Sequence, residues 1–190
     1  MSGAGAQASA DTGHPAPDTY STTEDLGIEA MYEFLSSAGV KKEDVLLEEG
    51  AGLSRRDVIT PEATVALLRY MSRSRWAQTY LNALPIAGVD GTLQNRMKGT
   101  AAAGNVRAKT GSLRYVFTLS GYVTTAAGER LAFSLMLNNY YNAERLAALR
   151  DPSAASARAP VPSPREDLDA IAIMLASFTG RTGEPHSRNP

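Results

Sequence analysis

Two stretches in the second half of the chain switch from helical to strand-like spacing, and they constrain the fold more than any other feature. Apolar side chains recur at every second position over residues 115–123 and 131–137. Because successive side chains of a strand lie on opposite faces of a sheet, this period predicts two strands. The connection between them is short and contains Gly128, which is typical of an antiparallel hairpin. Residues 106–112 predict a preceding strand, so an antiparallel sheet is expected.

Helical patterns lie on both sides of this sheet in the sequence. Their expected ends are Ser21 with Glu24 as a capping box, Gly39 as a stop, the cap at Thr60-Pro61-Glu62, Pro85 as a stop after residues 76–84, and the cap at Ser163-Pro164-Glu166. The last helix, over residues 166–178, is unusually apolar. We expect it to lie against the sheet, which is the available apolar surface.

Length and composition predict one ordinary globular domain with disordered ends. The chain has 190 residues, of which 43% are hydrophobic and 21% are charged. Residues 1–20 are small, polar and poor in apolar groups, so we expect a disordered leader. Residues 181–190 predict a disordered tail, and residues 151–165, with four prolines, predict a surface linker. The folded domain is therefore expected over residues 21–180.

Charge and residue types argue against several function classes. Nineteen basic and twenty acidic residues give a net charge of −1 without a basic cluster, so no nucleic-acid partner is expected. The sequence has no cysteine, and its two histidines, His14 and His186, lie in polar end segments. We therefore expect no thiolate nucleophile, no histidine base, and no metal site built from thiolates or several histidines. No apolar run predicts a membrane span, and the first residues do not read as an export signal.

One short motif, Lys109-Thr110-Gly111, carries a chemical signal. In a strand, Lys109 and Gly111 point to the same face, so a cation stands beside a position where no side chain blocks a ligand. Thr110 and Ser112 add hydroxyl donors that could hold a carboxylate. The pattern predicts the wall of an anion-binding groove; the alternative is a turn or strand with a solvated lysine.

The surroundings of this motif resemble a known enzyme family. Residues 84–93, 96–97, 104–113 and 119–122, with 50–55 and 60–61 upstream, closely resemble the carboxyl-terminal part of the D-alanyl-D-alanine carboxypeptidase/endopeptidase family of penicillin-binding proteins. The resemblance implies an α+β fold of the penicillin-binding-protein/β-lactamase-like transpeptidase type, here partial, in which helices pack on an antiparallel sheet. It also implies a serine peptidase that acts on peptidoglycan peptides, is acylated by β-lactams and works in the periplasm or outside the cytoplasm.

The resemblance also assigns roles around the motif. Lys109 would fix the substrate carboxylate and tune the proton relay, Thr110 and Ser112 would donate hydrogen bonds, and Gly111 would leave space for the ligand. No metal or organic cofactor is implied.

Two of the three motifs of this family are missing from the sequence. The nucleophile motif S-x-x-K needs a serine three residues before a lysine, but Ala38, Gly39, Asn95 and Val106 precede the four lysines at that distance. The S-x-N of residues 187–189 lies in the polar tail, after K-T-G and not before it. We therefore expect a carboxyl-terminal portion whose serine motifs lie on another segment. A non-catalytic module that binds cell-wall peptides or a partner, and a product without function, stay open as alternatives.

Smaller departures and flanking positions complete these expectations. The family's acid-G-S-G stretch is EGAG at residues 49–52, and Asp57 stands where asparagine is common. The remaining assignments are that Asp90, Thr92 and Arg96 brace the loop before the strand or else form a polar turn, that Ser54 and Arg55 lie near the groove or are simply solvated, and that Trp76 and Tyr80 lie in the core or at a helix interface.

Overall fold

The structure, a computed structural model, describes residues 22–140, 143, 150 and 163–181. The elements, in chain order, are α1 (Thr23–Ser37), a 3-10 turn (Lys42–Asp44), β1 (Val45–Leu46), β2 (Val58–Ile59), α2 (Pro61–Met71), α3 (Ala77–Ala83), a 3-10 turn (Gly91–Leu93), β3 (Arg107–Leu113), β4 (Val116–Thr124), β5 (Arg130–Leu137) and α4 (Pro164–Ser177). The expected leader, most of the expected linker and all but the first residue of the expected tail lie outside the described residues.

The main sheet has the order β3-β4-β5, with both pairs antiparallel. This confirms the three strands and the hairpin predicted from the alternation. One boundary was wrong: Tyr115 was placed in a strand, but Leu113 pairs with Val116 and leaves Arg114 and Tyr115 as a two-residue loop. Tyr115, the second residue of this loop, has a φ of +64°, in the left-handed region. The short antiparallel pair of β1 and β2 was not expected.

The larger core lies between the sheet and α4. Leu168, Ala172 and Ala176 of α4 are buried in one cluster with Leu119 and Val123 of β4. The expectation that the last helix packs on the sheet is therefore confirmed. On the opposite face, α2 and the end of α3 pack over β4 and β5 through Leu68, Leu84, Tyr122 and neighbouring apolar groups.

The helix caps follow the sequence closely, with one shift. The α1 capping box is formed by Thr22 and Asp25, not by Ser21 and Glu24: the Asp25 N–H donates to the Thr22 hydroxyl at 3.1 Å, and the Thr22 N–H donates to the Asp25 carboxylate at 2.7 Å. The prediction was one residue too early because both pairs have the same spacing. The caps at Thr60 and Ser163 are confirmed.

The loop before β3 is held by three polar side chains, which confirms their predicted bracing role. Asp90 accepts a hydrogen bond from the Ile86 N–H at 2.7 Å, and the hydroxyls of Thr92 and Thr110 lie 3.1 Å apart. The third is Arg96, which forms a two-pronged ion pair with Asp169 of α4, with a shortest N–O distance of 2.7 Å. Both side chains of this pair are only 15% exposed. No described helix is long and apolar enough to cross a membrane.

We predict that Arg96→Ala lowers the free energy of unfolding by about 2 to 4 kcal/mol, since it leaves the Asp169 carboxylate largely buried without its partner. Urea unfolding followed by circular dichroism measures this change. The matched control is Arg56→Ala, whose ion pair with Glu48 is exposed and should be worth at most about 1 kcal/mol. Similar losses for both variants would contradict a structural role for the Arg96 pair.

Candidate functional site

A groove of about 540 Å³ lies on the α2 side of the sheet. Segments far apart in the sequence form its walls: β3 and β4, the end of β5, α2, and residues 54–59. Lys109 and Thr110 of the predicted motif line it together with Ser54 and Arg55, so the prediction that these last two lie near the groove is confirmed. Gly111 and Ser112 are not among the lining residues.

Lys109 brings an uncompensated positive charge to this groove. Its side chain is exposed, and the Nζ donates to the backbone carbonyl of Thr110 at 2.9 Å. The ion pairs among the described residues are Arg56–Glu48 and Arg96–Asp169, so no described carboxylate neutralises Lys109. An anion entering the groove would therefore meet an ammonium group that no described carboxylate neutralises.

Gly111 has a packing reason that the sequence did not reveal. It pairs directly with Thr118 of β4, and a Cβ at position 111 would overlap the Thr118 hydroxyl oxygen. The glycine thus admits the Thr118 hydroxyl to the groove, which Thr118 lines. Thr118 was missed by the sequence reasoning, because its place opposite Gly111 depends on the two-residue turn, and Tyr115 of that turn was expected in a strand.

The hydroxyls of Thr110 and Ser112 point to the other face of the sheet. Thr110 bonds to Thr92, and Ser112 lies 3.5 Å from the guanidinium of Arg165 at the start of α4. The backbone N–H groups of Thr110 and Ser112 lie at the edge of the sheet and not on that face. Because the Ala108 N–H donates away from β4 to the Pro85 carbonyl at 3.0 Å, strand alternation places the N–H groups of Thr110 and Ser112 on the same outer edge.

Two carboxylates shape the loop that carries Ser54 and Arg55. Glu49 accepts the N–H groups of Ala51, Leu53 and Ser54 at 2.8, 2.5 and 2.6 Å. These backbone hydrogen bonds, chiefly those of Ser54 and Leu53, lower the pKa of Glu49. The second carboxylate, Asp57, accepts the Glu48 N–H at 2.7 Å, so the acid at this position works as a backbone acceptor.

Arg55 joins this loop to the edge of the sheet. Its guanidinium donates to the carbonyl of Arg114, in the β3–β4 turn, at 3.2 Å. Arg55 thus adds a second cation to the residues that line the groove. Among the described residues, no cluster of three or more histidine, aspartate or glutamate side chains could hold a metal ion.

Comparisons with known proteins identify the family to which this chain belongs. The sequence profile of the D-Ala-D-Ala carboxypeptidase 3 (S13) family matches residues 16–159. The chain belongs to the S13 family. The S13 chain is 39% identical to the D-alanyl-D-alanine carboxypeptidase of Actinomadura sp. over 171 residues, which cover 87% of this chain and 28% of the relative. It is 36% identical to the carboxypeptidase DacB of Haemophilus influenzae over 117 residues, or 60% of this chain and 24% of the relative.

Solved structures confirm the predicted family fold for the S13 chain. Penicillin-binding protein 4 from Haemophilus influenzae superposes with a TM-score of 0.61 and 28% identity, covering 80% of this chain and 32% of the other. The same protein in complex with a β-lactam gives a TM-score of 0.62. The α+β, penicillin-binding-protein type of fold is thus confirmed. The chain spans about a quarter to a third of the length of these relatives.

A buried tyrosine fixes α2, and with it one wall of the S13 groove. The Tyr122 hydroxyl donates to the Leu68 carbonyl at 2.6 Å, and the residue is 6% exposed. Burial raises the pKa of Tyr122 to about 12, with a further contribution from Tyr80, and burial also raises the pKa of Tyr80. Tyr80 packs in this cluster as expected.

Trp76 does not pack in this cluster. It is 56% exposed, and the guanidinium carbon of Arg75 lies 4.8 Å from the centre of its ring. The prediction for Trp76 was wrong because it precedes α3 and lies on its outer side.

We predict that Tyr122→Phe removes the tyrosine that ionises near pH 12 in the folded protein. Since the pKa is raised on folding, Tyr122 contributes stability below pH 10 that is lost as the pH rises towards 12. Ultraviolet absorbance of tyrosinate, recorded with circular dichroism to follow unfolding, measures both effects. If the variant and the parent chain have the same alkaline unfolding curve, the Tyr122 hydroxyl does not hold α2 in place.

Proposed function

We propose that this chain forms the anion-binding wall of a serine-type D-alanyl-D-alanine carboxypeptidase or endopeptidase that acts on peptidoglycan peptides. The observation that carries the proposal is the ammonium group of Lys109, which lies beside the open edge of β3 in a groove and forms no ion pair with a described carboxylate. Peptides ending in D-alanine present a carboxylate at the site of cleavage. A charge-assisted hydrogen bond from Lys109 would hold that group.

The edge of β3 supports the binding of an extended peptide. Among the described strands, β4 alone pairs with β3, and the outer edge beyond Ala108 is not covered by another strand. The backbone N–H and carbonyl groups of Thr110 and Ser112 lie along this edge. In the proposal, these two residues bind substrate through their backbone groups, because their hydroxyls already have partners on the other face.

The reaction needs a nucleophile that this sequence does not contain in the family's pattern. In the proposal, a serine from another polypeptide segment attacks the carbonyl carbon of the penultimate D-alanine and passes its proton to a basic group beside it. The tetrahedral intermediate then expels the terminal D-alanine, whose amine takes up the proton, and water hydrolyses the acyl-serine. Lys109 contributes by holding the carboxylate and by favouring the developing negative charge. No metal or organic cofactor is required.

Partners and location follow from the same proposal. The related penicillin-binding protein 4 was solved with a bound β-lactam, so we propose that β-lactams bind this groove once the site is complete. Peptidoglycan peptides lie outside the cytoplasm, and we propose a periplasmic or other extracytoplasmic location. Nucleic acid is not a proposed partner.

A second candidate is a non-catalytic module that binds cell-wall peptides. It is favoured by one observation: none of the four lysines in the sequence follows a serine at the S-x-x-K spacing. In such a module, Lys109 and the open edge of β3 would bind the peptide as proposed above, but no cleavage would follow. The two candidates differ in what happens when a nucleophile segment is supplied.

We predict that the chain alone forms no covalent adduct with a fluorescent penicillin, because no serine is paired with a lysine at the required spacing. Mass spectrometry of the intact protein measures the adduct. The chain is then mixed with the part of the Actinomadura carboxypeptidase that has no counterpart in it. If the chain is a catalytic portion, the mixture should be acylated by penicillin, whereas a mixture with a binding module should stay unmodified. A stoichiometric mass increase on the chain alone would place the nucleophile within it.

We predict that Lys109→Ala weakens binding of an N-acyl-D-alanyl-D-alanine peptide by about tenfold or more, since one charge-assisted hydrogen bond is lost. In the completed site, acylation should fall about a hundredfold. Nuclear magnetic resonance titration and stopped-flow kinetics measure the two effects. Lys98→Ala is the matched control, because the Lys98 ammonium bonds to Asn95 outside the groove. Equal effects of the two substitutions would contradict the assignment of Lys109.

A further inference from the structure

A second large cavity lies on the other side of α2 from the groove. It has a volume of about 890 Å³ and is formed by the end of α1, the outer side of α2 and the segment that follows α2. Its lining combines aromatic rings with guanidinium groups: Phe34, Tyr70 and Trp76 with Arg69, Arg73 and Arg75. We call this cavity the arginine cleft.

The aromatic side chains of the arginine cleft are exposed although they touch one another. Phe34 and Tyr70 meet edge to face, with ring centres 5.8 Å apart, and are 45% and 38% exposed. Trp76 is exposed further, and its ring carries the Arg75 guanidinium. Large aromatic rings held rigidly at the surface are typical of binding surfaces, because they bury much area with little loss of conformational entropy.

The charges of the cleft all have one sign. Arg69, Arg73 and Arg75 lie within seven residues of sequence, and no acidic residue lines the cleft. None of the three takes part in the ion pairs found among the described residues. The whole chain has a net charge of −1, so the positive charge here is a local concentration and does not reflect a basic protein. The sequence analysis expected no basic cluster, but these three arginines of one short segment line the cleft together.

We propose that the arginine cleft binds an acidic segment of a partner protein, one that carries apolar side chains between its carboxylates. Tryptophan, tyrosine and arginine are the residues that dominate the binding energy of protein interfaces. Each guanidinium can hold a carboxylate with two parallel hydrogen bonds, and Arg75 is oriented for this by its stacking on Trp76. The apolar floor at Ala66 and Met71 accommodates the side chains between the carboxylates.

This site is separate from the groove that contains Lys109. The outer side of α2 carries Ala66, Arg69 and Tyr70, whereas Thr64, Leu67 and Leu68 of the same helix line the groove. The width of a helix, about 10 Å, therefore divides the two cavities. The proposal does not depend on the peptidase function, since the ligand and the contacting residues are different.

A selection experiment tests the preference for acidic partners. A random twelve-residue peptide library is selected on the full chain, and the eluate is compared with a selection on the variant R69Q/R73Q/R75Q. We expect peptides that are enriched on the parent chain only to be acidic and to contain apolar residues. The matched control K41Q/K42Q/K98Q removes the same three charges outside the cleft and should enrich the same peptides as the parent. Enrichment without a charge bias, or equal enrichment on both arginine and lysine variants, would overturn the proposal.

The position of binding can be read without a label, because Trp76 is the one tryptophan of the sequence. Adding a synthetic copy of an enriched peptide to the full chain should change the tryptophan fluorescence, with an affinity that falls at least tenfold in the single variant Arg73→Gln. The affinity of the parent chain should also fall as sodium chloride is raised, which tests the charge contribution without any substitution.

Three further outcomes distinguish this proposal from its rivals. Lys109→Ala should leave the fluorescence titration unchanged, so a failed peptidase function and a failed cleft function give different results. A single-stranded DNA oligonucleotide that quenches Trp76 more strongly than the acidic peptide would overturn the proposal in favour of a nucleic-acid site. An acidic peptide that binds without any change in Trp76 fluorescence would also overturn it, because the binding would lie elsewhere.

Discussion

The pairing of β4 with both of its neighbours is the interaction on which the rest of the structure depends. Gly121 makes the β3 side of this pairing possible, since a side chain there would overlap the backbone of Arg107 and Ala108. One face of β4 then buries Leu119 and Val123 under α4, and the other face presents Tyr122 to α2. Both helices therefore take their positions from one central strand.

The groove is a consequence of how that strand is flanked. Tyr122 fixes α2 over the sheet through a single hydrogen bond to a backbone carbonyl, and the register of β3 puts Lys109 and Thr118 on the same side. On the opposite side, the Arg96–Asp169 pair ties the loop before β3 to α4. Lys109 in the groove forms no ion pair with a described carboxylate, whereas Arg96, which supports the loop, is paired and largely buried. This division of roles is what a binding wall requires.

Helix α2 separates the two cavities and contributes residues to both. Its inner side completes the groove that we assign to cell-wall peptides, and its outer side forms the arginine cleft. The chain spans only part of the length of its S13 relatives. The functions that we propose for it therefore rest on the residues that line its own two cavities. In our two proposals, these cavities bind negatively charged groups separately: the groove takes an extended peptide, and the arginine cleft takes an acidic segment of a partner.

Much of the local structure could be predicted from the sequence alone, because it depends on neighbours in the chain. The alternation around Gly128 predicts the hairpin, and the caps at Thr60 and Ser163 predict where two helices begin. The K-T-G motif and its surroundings indicated the family, which the comparisons confirm. The capping box of α1 was placed one residue too early, since Thr22 and Asp25 repeat the spacing of the pair before them.

Only the tertiary structure decided which side chains meet. Thr118 reaches the groove because the Arg114–Tyr115 turn sets the strand register, and the Thr110 hydroxyl turns away from Lys109 because alternate residues face opposite sides of a sheet. Trp76 was expected in the core or at a helix interface, and is instead 56% exposed in a cleft that the end of α1 completes. The physical reason is common to all three: a sequence pattern fixes the period of an element, whereas contacts across elements depend on register and packing, which involve residues distant in the chain.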